Sequence, residues 1–201
     1  MLTNLNRTVL SLLMVLVLAG CSASSGGSDQ QTGDVSSIEA SNAATSGEEF
    51  VVQNGDDTVC DLSELDDNML SLINEARSNA RSCGDNYFAA AAPVTWNCTL
   101  KTAAARHSLD MGSNNFFSHT GSDGLNVGHR VSATQYEWAA VGENLAAGQL
   151  SEEDTVSEWL ASPSHCSTLM SAEYEELAVA VDLPSGADYL TYWTMILATA
   201  F

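Results

Sequence analysis

From residue 60 onward, apolar positions recur twice at three- and four-residue spacing. Met69, Leu70, Leu72, Ile73 and Ala76 form the first stripe. It predicts a helix over 65–80, with Ser63 or Asp66 as cap and Cys83-Gly84 as the stop. Leu100, Ala103, Ala104, His107 and Met111 form the second, predicting a helix from Asn97 or Thr99 to about Ser113. His107 falls on the apolar face of that helix, where it reads as a satisfied, half-buried histidine or as one lining a cleft. Residues 85–93 lack a period and read as a loop. Phe116 and Phe117 close the second helix, and a glycine-rich loop is expected from Gly121 to Gly128. Within it, Asp123-Gly124 reads as a tight turn in preference to a cation-binding loop.

Farther along, residues 136–145 read as a short strand anchored by Trp138. Ser151-Glu152-Glu153 signals a helix start, followed by a short helix over 155–161 that carries Val156, Trp159 and Leu160. After Pro163 one more helical turn is expected over 166–170. Two β-branched, aromatic-rich runs, 177–183 and 189–198, flank Pro184-Ser185-Gly186 and predict an antiparallel strand pair. Helices first and strands late give an α+β fold, with helices covering a small antiparallel sheet.

The chain before residue 60 has no such pattern. Arg7 followed by the apolar run from Val9 to Gly20 describes an export signal over 1–20, too short for a comfortable membrane span. Leu18-Ala19-Gly20-Cys21 resembles the bacterial lipobox, which implies lipidation at Cys21. Ser22 in place of Asp implies an outer-membrane lipoprotein anchored through that lipid. Residues 21–59, rich in Ser, Gly and acidic residues and without a base, are expected to be a disordered tether reaching about 35 Å. Residues 60–201 are then one folded domain.

Charge narrows the function classes. Residues 60–201 hold 19 acidic and five basic side chains, a net of −14 within a chain of −20. Such a field repels nucleic acid, and no nucleic-acid partner is expected. Setting Cys21 aside, Cys60, Cys83, Cys98 and Cys166 are an even set in an oxidising compartment, so two disulfides are expected. Their spacing contains no Cys-x-x-Cys and allows three pairings.

The chemistry-bearing residues are concentrated in short segments. In order they are Asn74-Glu75-Ala76-Arg77, Ala104-x-x-His107-Ser108-x-Asp110-Met111, Phe117-Ser118-His119-Thr120, Gly142-Glu143-Asn144, and Trp159-x-x-Ser162-Pro163-x-His165. Five motifs in this order, spread over about 66–198, resemble the CAP superfamily of cysteine-rich secretory, antigen 5 and pathogenesis-related proteins, in its bacterial SCP-like branch. The resemblance implies an α-β-α sandwich with a broad cleft that holds two histidines and acidic residues. It puts His119 and His165 at the histidine positions and Glu143 at the glutamate of the Gly-Glu-Asn segment. Ser162 stands where many relatives carry a second glutamate.

Two imidazoles and a carboxylate can hold a zinc or other divalent cation, with His119 and His165 as ligands, or can form a hydrogen-bonded cluster that ties loops together. In an acidic protein such a cluster is expected to keep its histidines protonated, which opposes metal binding. Glu143 also reads as a carboxylate accepting backbone hydrogen bonds at a strand end. Tyr174 and Trp193 are either pocket-lining or core. No Gly-x-Ser-x-Gly elbow or His-Glu-x-x-His helix is present. The expected function is a cell-envelope binding module whose cleft, formed by His119, Glu143, His165, His107 and Ser162, takes a small apolar ligand or an envelope protein. The alternative is a metal-assisted hydrolase with Glu143 as general base. For the disulfides, Cys83–Cys166 and Cys60–Cys98 are expected, tying the first helix's end to the site loop and the entry segment to the second helix.

Overall fold

A computed structural model describes residues 60–201. The expected export signal, the lipid acceptor Cys21 and the tether over 21–59 lie outside the described residues.

Helix α1 (Glu64–Arg77) starts at Ser63, whose hydroxyl accepts from the Asp66 amide while the Asp66 carboxylate accepts from the Ser63 amide. This reciprocal cap satisfies two amides that the first turn leaves open. The helix ends three residues short of expectation. Cys83-Gly84 does not stop it; instead Gly84, at φ 61°, turns a hairpin of β1 (Arg81–Cys83) and β2 (Asn86–Phe88). Three-residue strands are too short to show a period, so the segment after Gly84 read as loop. Helix α2 (Cys98–Asn114) begins at Asn97, whose side-chain Oδ1 accepts from the Thr99 and Leu100 amides, and ends at Asn115 in the left-handed region.

Where a glycine-rich loop was expected through Gly128, the chain forms α3 (Val127–Ser132), capped by Asn126. Gly128 disguises this helix, and packing explains the glycine: a Cβ there would lie 3.0 Å from the Trp138 ring. The remaining elements are β4 (Trp138–Ala147), α4 (Glu152–Ala161), α5 (Pro163–Met170), β5 (Glu176–Asp182) and β6 (Tyr192–Ala200). The Asp123-Gly124 turn is present, with Gly124 at φ 81° and the Gly124 amide donating to the Gly121 carbonyl.

The main sheet runs β3-β5-β6-β4, where β3 is the short strand Thr95–Trp96. β6 pairs antiparallel with both β4 and β5, as expected for the late strands. β3 pairs parallel with β5, so the sheet is mixed and not wholly antiparallel. Strand alternation divides two cores. Leu177, Val179, Trp193, Met195 and Leu197 face α1, α4 and α5. Ala178, Ala180, Ile196 and Ala198 face α2 and α3. Helices on both faces of one sheet make the α-β-α sandwich. The disulfides are Cys60–Cys98 and Cys83–Cys166, the expected pairing.

Candidate functional site

β4 is the edge strand of the sheet, and the three segments carrying the candidate residues meet along it. Glu143 lies mid-strand, its side chain on the α2–α3 side and only 2% exposed. One carboxylate oxygen accepts from His119 Nδ1 at 2.8 Å, the other from an Arg130 guanidinium nitrogen at 2.6 Å. Glu143 therefore does not serve as a strand-end acceptor of backbone hydrogen bonds; its partners are two side chains. Arg130, in α3, also donates to the backbone carbonyls of Leu125 (2.9 Å) and His119 (3.1 Å). One guanidinium thus fixes the carboxylate together with both ends of the 119–125 loop. Its planar array of donors suits several acceptors at fixed angles, which an ammonium cannot match.

The neighbours of Glu143 in β4 explain the motif around it. Asn144 points to the other face of the sheet and donates to the His165 carbonyl at 2.9 Å, docking α5 against the edge. Gly142 admits Tyr174: a Cβ at Gly142 would stand 2.4 Å from the Tyr174 hydroxyl. Tyr174 is half-buried against the core, and burial raises its pKa. Trp193 is core, with its indole N–H donating to the Gln149 carbonyl.

His119 presents a ring that is 59% exposed, held at Nδ1 and open at Nε2. His165 reaches the same edge from the α5 side. Burial pushes its pKa down, the charge of His119 pushes it further, and Glu158 opposes; its Nδ1 is buried without a hydrogen-bond partner. His107 is also held below its ordinary value, first by burial. The expectation that an acidic surround would keep the His119 and His165 cluster protonated does not hold for His165, whose burial and the charge of His119 together outweigh Glu158. His107 is fully buried and lies outside the cleft edge; its Nε2, 2.9 Å from the Ser118 carbonyl, positions the segment that carries His119. Ser162 caps neither neighbouring helix with its side chain, and its hydroxyl lies 3.2 Å from that of Ser164. Ser118 is occupied in a local turn, accepting from the Thr120 amide.

The structure thus joins His119 to Glu143 directly and sets His165 within electrostatic reach. The sequence reading missed Arg130, Asn144 as the α5 latch, and Tyr174 over Gly142. Arg130 carried one available signal: it is one of only five Lys or Arg residues in a strongly acidic domain, close in sequence to the His119 segment. Among the described residues no group of three or more His, Cys, Asp or Glu side chains is arranged to hold a metal ion. Each Glu143 oxygen already accepts one hydrogen bond, from His119 or from Arg130.

Known proteins place this geometry in context. A 91-residue stretch is 31% identical to the uncharacterized membrane protein YlbC of Bacillus subtilis (strain 168), covering 45% of this chain and 26% of that protein's length. Among solved structures, an outer surface protein from Borrelia burgdorferi superposes with a TM-score of 0.55 at 20% identity, over 67% of this chain and 92% of that one. An extracellular SCP-domain protein from Bacillus anthracis str. Ames gives 0.54 at 20% identity, over 70% and 45%. At that identity the likeness is one of fold. The model of the cysteine-rich secretory protein family matches residues 70–197, across both helical layers and all four strands of the main sheet. The chain belongs to the cysteine-rich secretory protein (CAP) family.

Proposed function

We propose that this chain is an exported protein, anchored to the outer membrane through a lipid on Cys21, whose CAP domain acts as a binding module and not as a hydrolase. The observation that carries the reading is the state of Glu143. Both of its oxygens are committed, to an imidazole and to a guanidinium, and the side chain is sealed from solvent. A general base must reach the water it activates, and this side chain is only 2% exposed. Paired to Arg130, this carboxylate is a tie that shapes the cleft edge.

Ligand binding finds better support across the sheet. Between α1 and α4 lies a groove of about 350 Å³, with Leu72, Ala76, Val156 and Leu160 forming its apolar wall. Arg81 lines the same groove and keeps a buried Nε without a partner. An apolar wall edged by Arg81, Glu75 and Glu153 fits a small, mainly apolar ligand with a polar end. Family membership and the secretory character in the family's name support export.

Replacing Glu143 by Gln tests the choice of class. A binding module loses stability only. Turnover of ester or peptide substrates by the full chain, abolished in Glu143→Gln while substrate binding persists, contradicts the reading.

A further inference from the structure

β4 leaves one edge of the main sheet unpaired, and its register says which backbone groups stand there. The Gly148 amide donates to the Thr191 carbonyl at 3.0 Å, one step past the Ala147 and Tyr192 partners. Bonded and unbonded partners alternate in an antiparallel pair. Gly148, Ala146, Asn144 and Gly142 therefore bond inward to β6, while Leu145, Glu143 and Val141 turn their N–H and C=O groups outward. The Leu145 carbonyl agrees with this, since the Trp159 indole donates to it at 3.0 Å. Among the described residues nothing bonds to the outward groups of Val141 or Glu143. A register shift between Trp138 and Ala140 bounds this free run at one end, and Trp159 bounds it at the other.

Water reaches the run. Val141 and Gly142 are half-buried. Glu143 is 9% exposed as a whole but only 2% in its side chain, so the part that meets solvent is main chain. Open amide and carbonyl groups in strand geometry are a template for one kind of occupant, a further extended chain.

Side-chain room lies in the matching place. Val141 packs against the core on the α2–α3 side, so a residue paired opposite it points the same way. On that side a groove of about 400 Å³ is lined by Val127, Gly128, His129, Trp138 and Val141. Charge narrows the occupant. Exposed Glu137 and Glu173 stand at this end of the sheet, their carbonyls accepting from the Phe201 amide and the Thr199 hydroxyl. Arg130, in the adjoining helix, is already committed to Glu143. Acids without a base of their own favour a cationic occupant. A second copy of this domain would instead set one net charge of −14 against another.

We propose that the edge from Val141 to Glu143 receives an extended, lysine- or arginine-bearing peptide as an added strand, with one apolar side chain in the groove beside Trp138. Backbone hydrogen bonds at Val141 and Glu143 set its register, the groove selects the apolar residue, and the glutamates select its charge. This surface stands apart from the groove between α1 and α4 and does not depend on what that groove binds.

The test uses the full chain and end-capped peptides Lys-Thr-X-Thr-Val-Thr-Lys, with X valine, isoleucine, leucine or phenylalanine. Binding is read by calorimetry and by amide hydrogen exchange. At least one peptide should saturate a single site, slow exchange at the Val141 and Glu143 amides and shift the Trp138 indole resonance. N-methylation of X and of the valine two residues on removes backbone donors and keeps side chains and charge. It should weaken binding at least about tenfold. Glu137→Lys, at an exposed position, should also weaken it. Binding by none of the peptides at about 1 mM, or equal affinity for the N-methylated form, would overturn the proposal. So would self-association of the free chain that protects the same two amides, since the edge would then serve a second copy.

Discussion

Arg130 does more at the candidate site than either histidine, because it holds a buried carboxylate and two loop carbonyls with one side chain. Removing one partner of a buried pair strands the other charge, typically at a cost of about 3–5 kcal/mol. Arg130→Gln should lose stability on that scale in urea unfolding. Arg130→Lys should recover only part of it, since an ammonium cannot reach three acceptors at these angles. Full recovery by Lys would mean that charge alone matters there. The same scale shows why the site was half legible in the sequence. His119 and Glu143 stood out because imidazole and carboxylate in turn-like settings mark chemistry. Arg130 lay in a helix hidden by Gly128, and the reasons for Gly142 and Asn144 exist only across the sheet, in Tyr174 and in the His165 carbonyl. No local pattern encodes a partner 21 or more residues away.

Among elements, those with a long apolar period or a strong cap were read closely. α2 starts at Asn97 as expected, α4 starts at Ser151, and the late strands pair antiparallel. What failed was short or supported from afar: the β1–β2 hairpin, the two-residue β3 with its parallel pairing, and α3. The end of α1 belongs with these. Arg77 is fully buried and donates to the carbonyls of Ala92, Leu169, Ser171 and Tyr174, so it anchors α1 to α5 and the segment after it by contacts up to 97 residues away. Cys83–Cys166 fastens the same region covalently across 83 residues, whereas Cys60–Cys98 closes only 38. On loop entropy the two closures stabilise by about 4.5 and about 3.9 kcal/mol. Replacing the Cys83–Cys166 pair by alanines should therefore lower the urea midpoint more than replacing Cys60–Cys98. The reverse order would show that the entry segment contributes more to the native state than its loop length implies.

For the whole molecule, a buried histidine (His107) and a half-buried one (His165) on opposite faces of the sheet set a shared pH dependence. His107 and His165 both have folded pKa values below the ordinary 6.5, burial being the first cause in each. As pH falls below 6.5 the unfolded chain takes up protons that the folded chain refuses, so stability must fall from there toward the depressed folded values. Unfolding free energy should be lower at about pH 5.5 than at about pH 7.5, with a shallower slope in His165→Gln. An unchanged slope in that variant would place the acid sensitivity elsewhere. The task proposed for the domain is to bind a ligand in the groove between α1 and α4. The most direct test of that task is saturation of the full chain with a fluorescent long-chain carboxylate, comparing the native protein with Leu160→Glu and Glu143→Gln. One saturable site is expected, weakened by about tenfold or more in Leu160→Glu and unaltered in Glu143→Gln. Binding that is absent, or that ignores Leu160 and follows Glu143 instead, would contradict a binding role for the groove.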